Sequence, residues 1–159
     1  MYYTHFNSQI GTITLIGDED GIQRLYIHNP YAKYPLLLDD GIEEDASIFS
    51  AAIHQLEEYL AGSRRSFDLK LNPQGTPFQK SVWEKLTQIP FGKTLGYGEI
   101  AKDLNNPNAS RAVGAANGKN PIPLIIPCHR VIGANGKLTG FAFGTELKQQ
   151  LLDLEDIKE

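Results

Sequence analysis

Asn72-Pro-Gln-Gly-Thr-Pro-Phe-Gln79 divides this chain of 159 residues into two unlike parts. Asn72 to Gly75 is a run of turn formers. Thr76 then offers a hydroxyl as helix cap, and Pro77 takes the first helical position, where a missing N–H costs nothing. Gln79 is spaced to close a capping box. The boundary predicts an amino-terminal domain over 1–74 and a second domain over 75–159.

Working back from the boundary, the first part reads as a small sheet with one helix. Thr12–Ile16 and Ile22–Ile27 are β-rich runs joined by the turn formers of 17–21, and Leu25 and Ile27 alternate with Arg24 and Tyr26. Residues 29–45 carry two prolines and several acids and predict a loop. Phe49, Ala52, Ile53, Leu56, Tyr59 and Leu60 share one helical face, with Gly62 as a stop. Residues 63–75 read as a strand followed by a linker.

Working forward, the second part is mostly helical. Phe78, Val82 and Leu86 fall on one side of the capped helix. Tyr97, Ile100, Ala101 and Leu104 mark a second helix. A short third helix over 108–117 is rich in alanine and glycine and closes at Gly118. Two helices joined by a short turn suggest a helix-turn-helix. The small residues Ala109, Ala112, Gly114, Ala115 and Ala116 allow close approach, either to a shallow groove or to a neighbouring helix.

Composition narrows the class. With 41% hydrophobic and 21% charged residues the chain is neither disordered nor fibrous. No run approaches the roughly 18 apolar residues of a membrane span. The first residues lack the basic and apolar regions of an export signal, so a reducing cytosol is expected. One cysteine excludes an internal disulfide framework. Residues 1–74 hold five Lys/Arg against eleven Asp/Glu, residues 75–152 hold nine against four, and 153–159 form an acidic tail. The net charge of −4 therefore allows a basic face on the second part, as phosphate binding needs, or a scatter of solvated charge.

The chemical centre is Cys128. The apolar, proline-stiffened run Pro121–Pro127 delivers it directly before His129 and Arg130. A lone cysteine can be a small buried hydrophobe. Neighbouring cations can instead lower its pKa and make it a nucleophile.

Pro127-Cys-His-Arg-Val131 resembles the active-site signature of the 6-O-alkylguanine-DNA alkyltransferases, the methylated-DNA–protein-cysteine methyltransferases. Gly96–Ala101, Arg111–Gly114, Asn120-Pro121, Leu138–Gly140 and Lys148–Glu155 match that family in order and spacing. The similarity is dense over 76–155 and looser over the first part, which looks like the family's variable amino-terminal domain. The fold implied is a small α/β domain, ribonuclease H-like, followed by a mostly helical winged helix-turn-helix domain. The activity implied is single-turnover transfer of an alkyl group from the 6-oxygen of guanine, with the 4-oxygen of thymine as a second candidate, onto Cys128.

The resemblance also assigns roles. It makes Cys128 the acceptor, His129 the group that takes its proton through a water, and Glu155 the carboxylate that orients the imidazole. Tyr97 is implied as donor to the leaving base, and Asn120 as the hinge between site and helix pair. Arg111 is implied as the finger that fills the gap left by a flipped base, with Ala112, Val113 and Gly114 along the minor groove and Arg130 as a further DNA contact. The partner implied is double-stranded DNA containing alkylated guanine, bound by a monomer. Phe141 and Phe143 stand where many relatives have tyrosine and glycine, which predicts a narrow alkyl pocket. No cofactor is expected. His5, His28 and His54 have no cysteine companions, so no metal is expected either. The rivals are an alkyltransferase-like damage sensor, a family that replaces the cysteine, and a papain-like hydrolase, which needs a distant histidine.

Overall fold

The computed structural model describes residues 1–133, 136 and 141–157 of the chain. Three antiparallel strands open it: β1 (Tyr2–Ser8), β2 (Gly11–Asp18) and β3 (Gly21–His28). A two-residue strand, β4 (Glu43–Glu44), pairs parallel to β1, so the sheet order is β3-β2-β1-β4. A turn of 3-10 helix capped by Asp45 leads into α1 (Ser50–Leu60). Ala52, Leu56, Tyr59 and Leu60 on α1 are buried in one apolar cluster with Ile13, Leu15, Leu25 and Ile27 of the sheet.

The strand expected within 63–75 is reduced to a single parallel bridge between Ile22 and Leu71. Ile22 N donates to Lys70 O at 3.0 Å, and Asn72 N donates to Ile22 O at 2.7 Å. Gly21 makes this docking possible. Its φ of +131° suits glycine, and a Cβ there would come within 2.9 Å of Lys70 O. The segment thus covers part of the β3 edge instead of extending the sheet. The same edge meets the second part of the chain where Leu25 N donates to Pro121 O at 2.8 Å.

The second part holds α2 (Pro77–Thr87), β5 (Leu95–Gly96), α3 (Tyr97–Asp103), α4 (Ser110–Gly118), β6 (Val131–Ile132) and α5 (Thr145–Ile157). The capping box at Thr76 and Gln79 forms as the spacing required, with bonds of 3.0 and 3.1 Å. Val82, Trp83 and Leu86 of α2 point inward, and Trp83 Nε1 donates to Ala116 O of α4 at 2.8 Å. β5 and β6 pair in parallel. That pairing ties the start of α3 to the segment just after Cys128.

Besides the two-residue strands, of which β4 lies in the segment expected as loop, the elements not anticipated are β1 and α5. The acidic stretch expected as a tail forms the last turns of α5 up to residue 157, and Glu155 on it faces inward. Leu147, Leu151 and Leu154 are spaced as one helical face, the signal that marks this helix. No described helix is long and apolar enough to cross a membrane.

Candidate active site

Cys128, His129 and Arg130 form one 3-10 turn, buried between α5, α1 and the run 121–127. Cys128 N donates to Ile126 O at 2.8 Å, and Ile126 N to Ile122 O at 2.9 Å, so the approach to the thiol is tightly wound. Leu124 in this run adopts φ +74°, a left-handed conformation costly for a bulky residue. Asn120 braces the loop from within. Its Nδ2 donates to Ile126 O at 2.8 Å and its Oδ1 accepts from Ile122 N at 3.0 Å.

Glu155 reaches the same turn from α5 and is 1% exposed. Its Oε2 accepts from His129 Nε2 at 2.6 Å, from Tyr59 Oη at 2.6 Å and from Arg130 Nη2 at 3.1 Å. Its Oε1 accepts from Arg130 Nε at 2.8 Å and from Gly92 N at 3.2 Å. Burial pushes this carboxyl's pKa up, but the bonds from His129 and Arg130, His129's charge and the bond from Tyr59 outweigh it and bring the pKa down to about 2. The charge stays because five donors replace the water it loses.

The imidazole of His129 is buried too. Burial lowers its pKa, while the Glu155 hydrogen bond and charge work in the opposite direction. A neutral ring with Nε2–H given to Glu155 keeps a lone pair on Nδ1. That Nδ1 is buried and has no hydrogen-bond partner among the described residues.

Adjacent cations could have lowered the pKa of the thiol, yet burial pushes Cys128 up to about 11. The reason is that Arg130 spends its charge on Glu155. Asn120, through a side-chain hydrogen bond, and the buried Lys148 of α5 favour the thiolate without overcoming burial. Near neutral pH the thiol and imidazole are therefore both uncharged, and the nucleophile needs a base.

Arg130 requires a second correction. It was placed among the DNA contacts, but it is 6% exposed. Its guanidinium is held by Glu155 and by Ile89 O at 2.6 Å, which leaves it no reach to a phosphate. Val113 is corrected likewise. It is fully buried in the core, so its side chain cannot line a groove. Arg111 and Ala112 are exposed on α4, and Gly114 is half-buried. A Cβ on Gly114 would lie 3.8 Å from the Tyr97 ring at the start of α3, an ordinary van der Waals contact, so that ring lies beside α4.

Phe141 and Phe143 are both buried. Phe143 stands edge-on to Tyr26 of β3, with centroids 5.3 Å apart, and also meets Phe141 and Tyr34. The first part of the chain grips this segment through Lys33 N to Ala142 O at 2.9 Å and Asn29 Nδ2 to Phe143 O at 3.1 Å. The matched segment Leu138–Gly140 lies outside the described residues. Among the described residues no group of three or more His, Cys, Asp or Glu could hold a metal ion. Sequence reasoning missed Tyr59 as a site residue, since its spacing on α1 marked only a core position.

A buried cysteine, histidine and glutamate, tied through the β5–β6 pairing to the helix pair α3–α4, define a nucleophilic centre beside a candidate nucleic-acid surface. The chain belongs to the 6-O-methylguanine DNA methyltransferase family: residues 1–73 match its ribonuclease-like domain and residues 77–157 its DNA-binding domain. It is 55% identical over 155 residues to the methylated-DNA–protein-cysteine methyltransferase of Methanosarcina acetivorans, covering 98% of both chains. It is 40% identical to the constitutive enzyme of that kind from Bacillus subtilis, covering 98% of this chain and 96% of the other. Among solved structures, the OGT of Mycobacterium tuberculosis in complex with DNA superposes with a TM-score of 0.92 at 44% identity, covering 99% of this chain and 94% of that one. The O6-methylguanine DNA methyltransferase of Methanococcus jannaschii gives 0.69 at 31% identity, covering 98% and 95%.

Proposed function

We propose that this protein repairs DNA by moving a methyl group from the 6-oxygen of guanine to Sγ of its own Cys128, once per molecule. The observation that carries this reading is the buried chain Glu155–His129 beside the thiol. His129 Nδ1 takes the thiol proton through a water, and Glu155 stabilises the imidazolium that results. The thiolate attacks the methyl carbon in line. The S–C bond forms as the C–O6 bond breaks, and the electron pair stays on guanine. Tyr97 donates to the developing guanine anion, which then accepts a proton, so one thiol and one methyl ether become one thioether and one guanine.

A base inside a duplex is out of reach of a buried thiol, so the guanine is flipped out. α3 and α4 act as the helix-turn-helix of a winged domain, with the β5–β6 pair beside it. Arg111 fills the vacated stack, and the small residues of α4 fit the minor groove. Exposed Lys102 and Lys119 on this pair supply charge for the phosphates. The retained cysteine separates this reading from a damage sensor. The protein acts as a monomer in the cytoplasm. Titrating a methylated duplex with limiting protein tests the reading: repair should plateau at one lesion per chain, and continued repair past that point contradicts it.

A further inference from the structure

The geometry points to Tyr59, on α1 of the amino-terminal domain, as a positioning residue for the proton acceptor, bridging the carboxylate of Glu155 and the imidazole of His129. The inference rests on the methyl-transfer reading and adds a residue to it. Tyr59 is fully buried, 96 positions from Glu155 in the chain, yet its hydroxyl lies 2.6 Å from Glu155 Oε2 and 3.3 Å from His129 Nε2. A carboxylate can only accept, so the phenol donates to it. The phenol oxygen then turns its lone pairs toward the Nε2–H that His129 gives to the same oxygen of Glu155. The ring itself is packed against Phe67 and Phe91, with centroids 5.4 and 6.4 Å away, which fixes where the hydroxyl sits.

This arrangement does two things. It restricts the imidazole to one orientation and one tautomer, with the Nδ1 lone pair available to the thiol. It also draws off part of the charge that Glu155 would otherwise offer to an imidazolium. Among the described residues, the charged or titratable groups that act on or touch His129 form one cluster: Glu155 and Lys148 from α5, Arg130 and Cys128 from its own turn, and Tyr59 from α1. Burial holds the phenol neutral well above the usual tyrosine range, followed by the charge of Glu155, so it does not titrate with its neighbours. The first part of the chain thereby completes the site on the second.

Removing the hydroxyl leaves Glu155 Oε2 with more charge to offer His129, which should then keep its proton to higher pH. The test is the rate of methyl transfer from a methylated duplex at saturating protein, measured from pH 5 to 9 for the wild type and Tyr59→Phe. The acidic limb of the variant should move up by about one pH unit, costing about ten-fold in rate on the acid side, while the two proteins converge on the alkaline side. DNA affinity should not change. In a Glu155→Gln background the Tyr59→Phe exchange should add nothing to the loss. A limb that stays in place or moves to lower pH overturns the proposal, as does an equal loss at every pH. Transfer by the wild type with unchanged Tyr59→Phe kinetics contradicts the role of Tyr59 alone. No transfer by the wild type overturns both readings.

Discussion

His129 Nε2 and Glu155 Oε2 lie 2.6 Å apart, and both side chains are shut away from solvent. They come from a 3-10 turn and from the last turns of α5, so the contact exists only in the folded chain. In the unfolded chain the carboxyl returns to its ordinary value of 4.5, against about 2 when folded.

Acid stability should report this difference. A carboxyl held below its unfolded value contributes stability that is complete above about pH 4.5 and is lost as pH falls toward 2. The contribution is on the order of 3 kcal/mol. Urea unfolding at pH 4.5 and 2.5 should show the wild type losing most of that amount and Glu155→Gln losing much less. Equal losses in the two proteins would mean that the buried cluster does not hold the charge on Glu155.

Arg111 is exposed on α4 and is read as the finger that enters the base stack. Arg111→Ala should then lose far more activity on a methylated duplex than on the free methylated base, because only the duplex incurs an unstacking cost of about a few kcal/mol. Single-turnover rates on both substrates check this. An equal loss on each would contradict the finger role.

Phe143 fills the space between Tyr26, Tyr34 and Phe141. Phe143→Gly should cost stability of about 3–5 kcal/mol or somewhat more, the scale of deleting a buried aromatic ring. If the ring also narrows the alkyl pocket, the variant should react with free benzylguanine about five- to a hundred-fold faster than the wild type, the reverse of an overpacking penalty of about 1–3 kcal/mol. A variant that is less stable but no faster would show Phe143 to be a packing residue between the two parts of the chain.

The legible features were those written in local chemistry. Thr76, Pro77 and Gln79 are neighbours in sequence, so their capping box could be read before any fold was known. The face of α1 was legible from its spacing, and Cys128–His129 from the motif it resembles. Tertiary choices were not. Residues 63–75 have the composition of a strand, but whether they pair depends on how closely Gly21 lets them approach. Arg130 looks like a phosphate ligand until Glu155 arrives from α5 to neutralise it. The Cys128 shift follows the same logic, since adjacency to an arginine counts only if its charge is unspent.

The central claim is that Cys128 is the acceptor and that each molecule acts once. Intact mass and peptide mapping after incubation with excess methylated duplex test it most directly, with Cys128→Ser alongside. The wild type should gain the mass of one methylene group per chain, located on Cys128, while the serine variant gains nothing. An unmodified wild-type chain after loss of the lesion, or a methyl group on any other residue, would contradict the account.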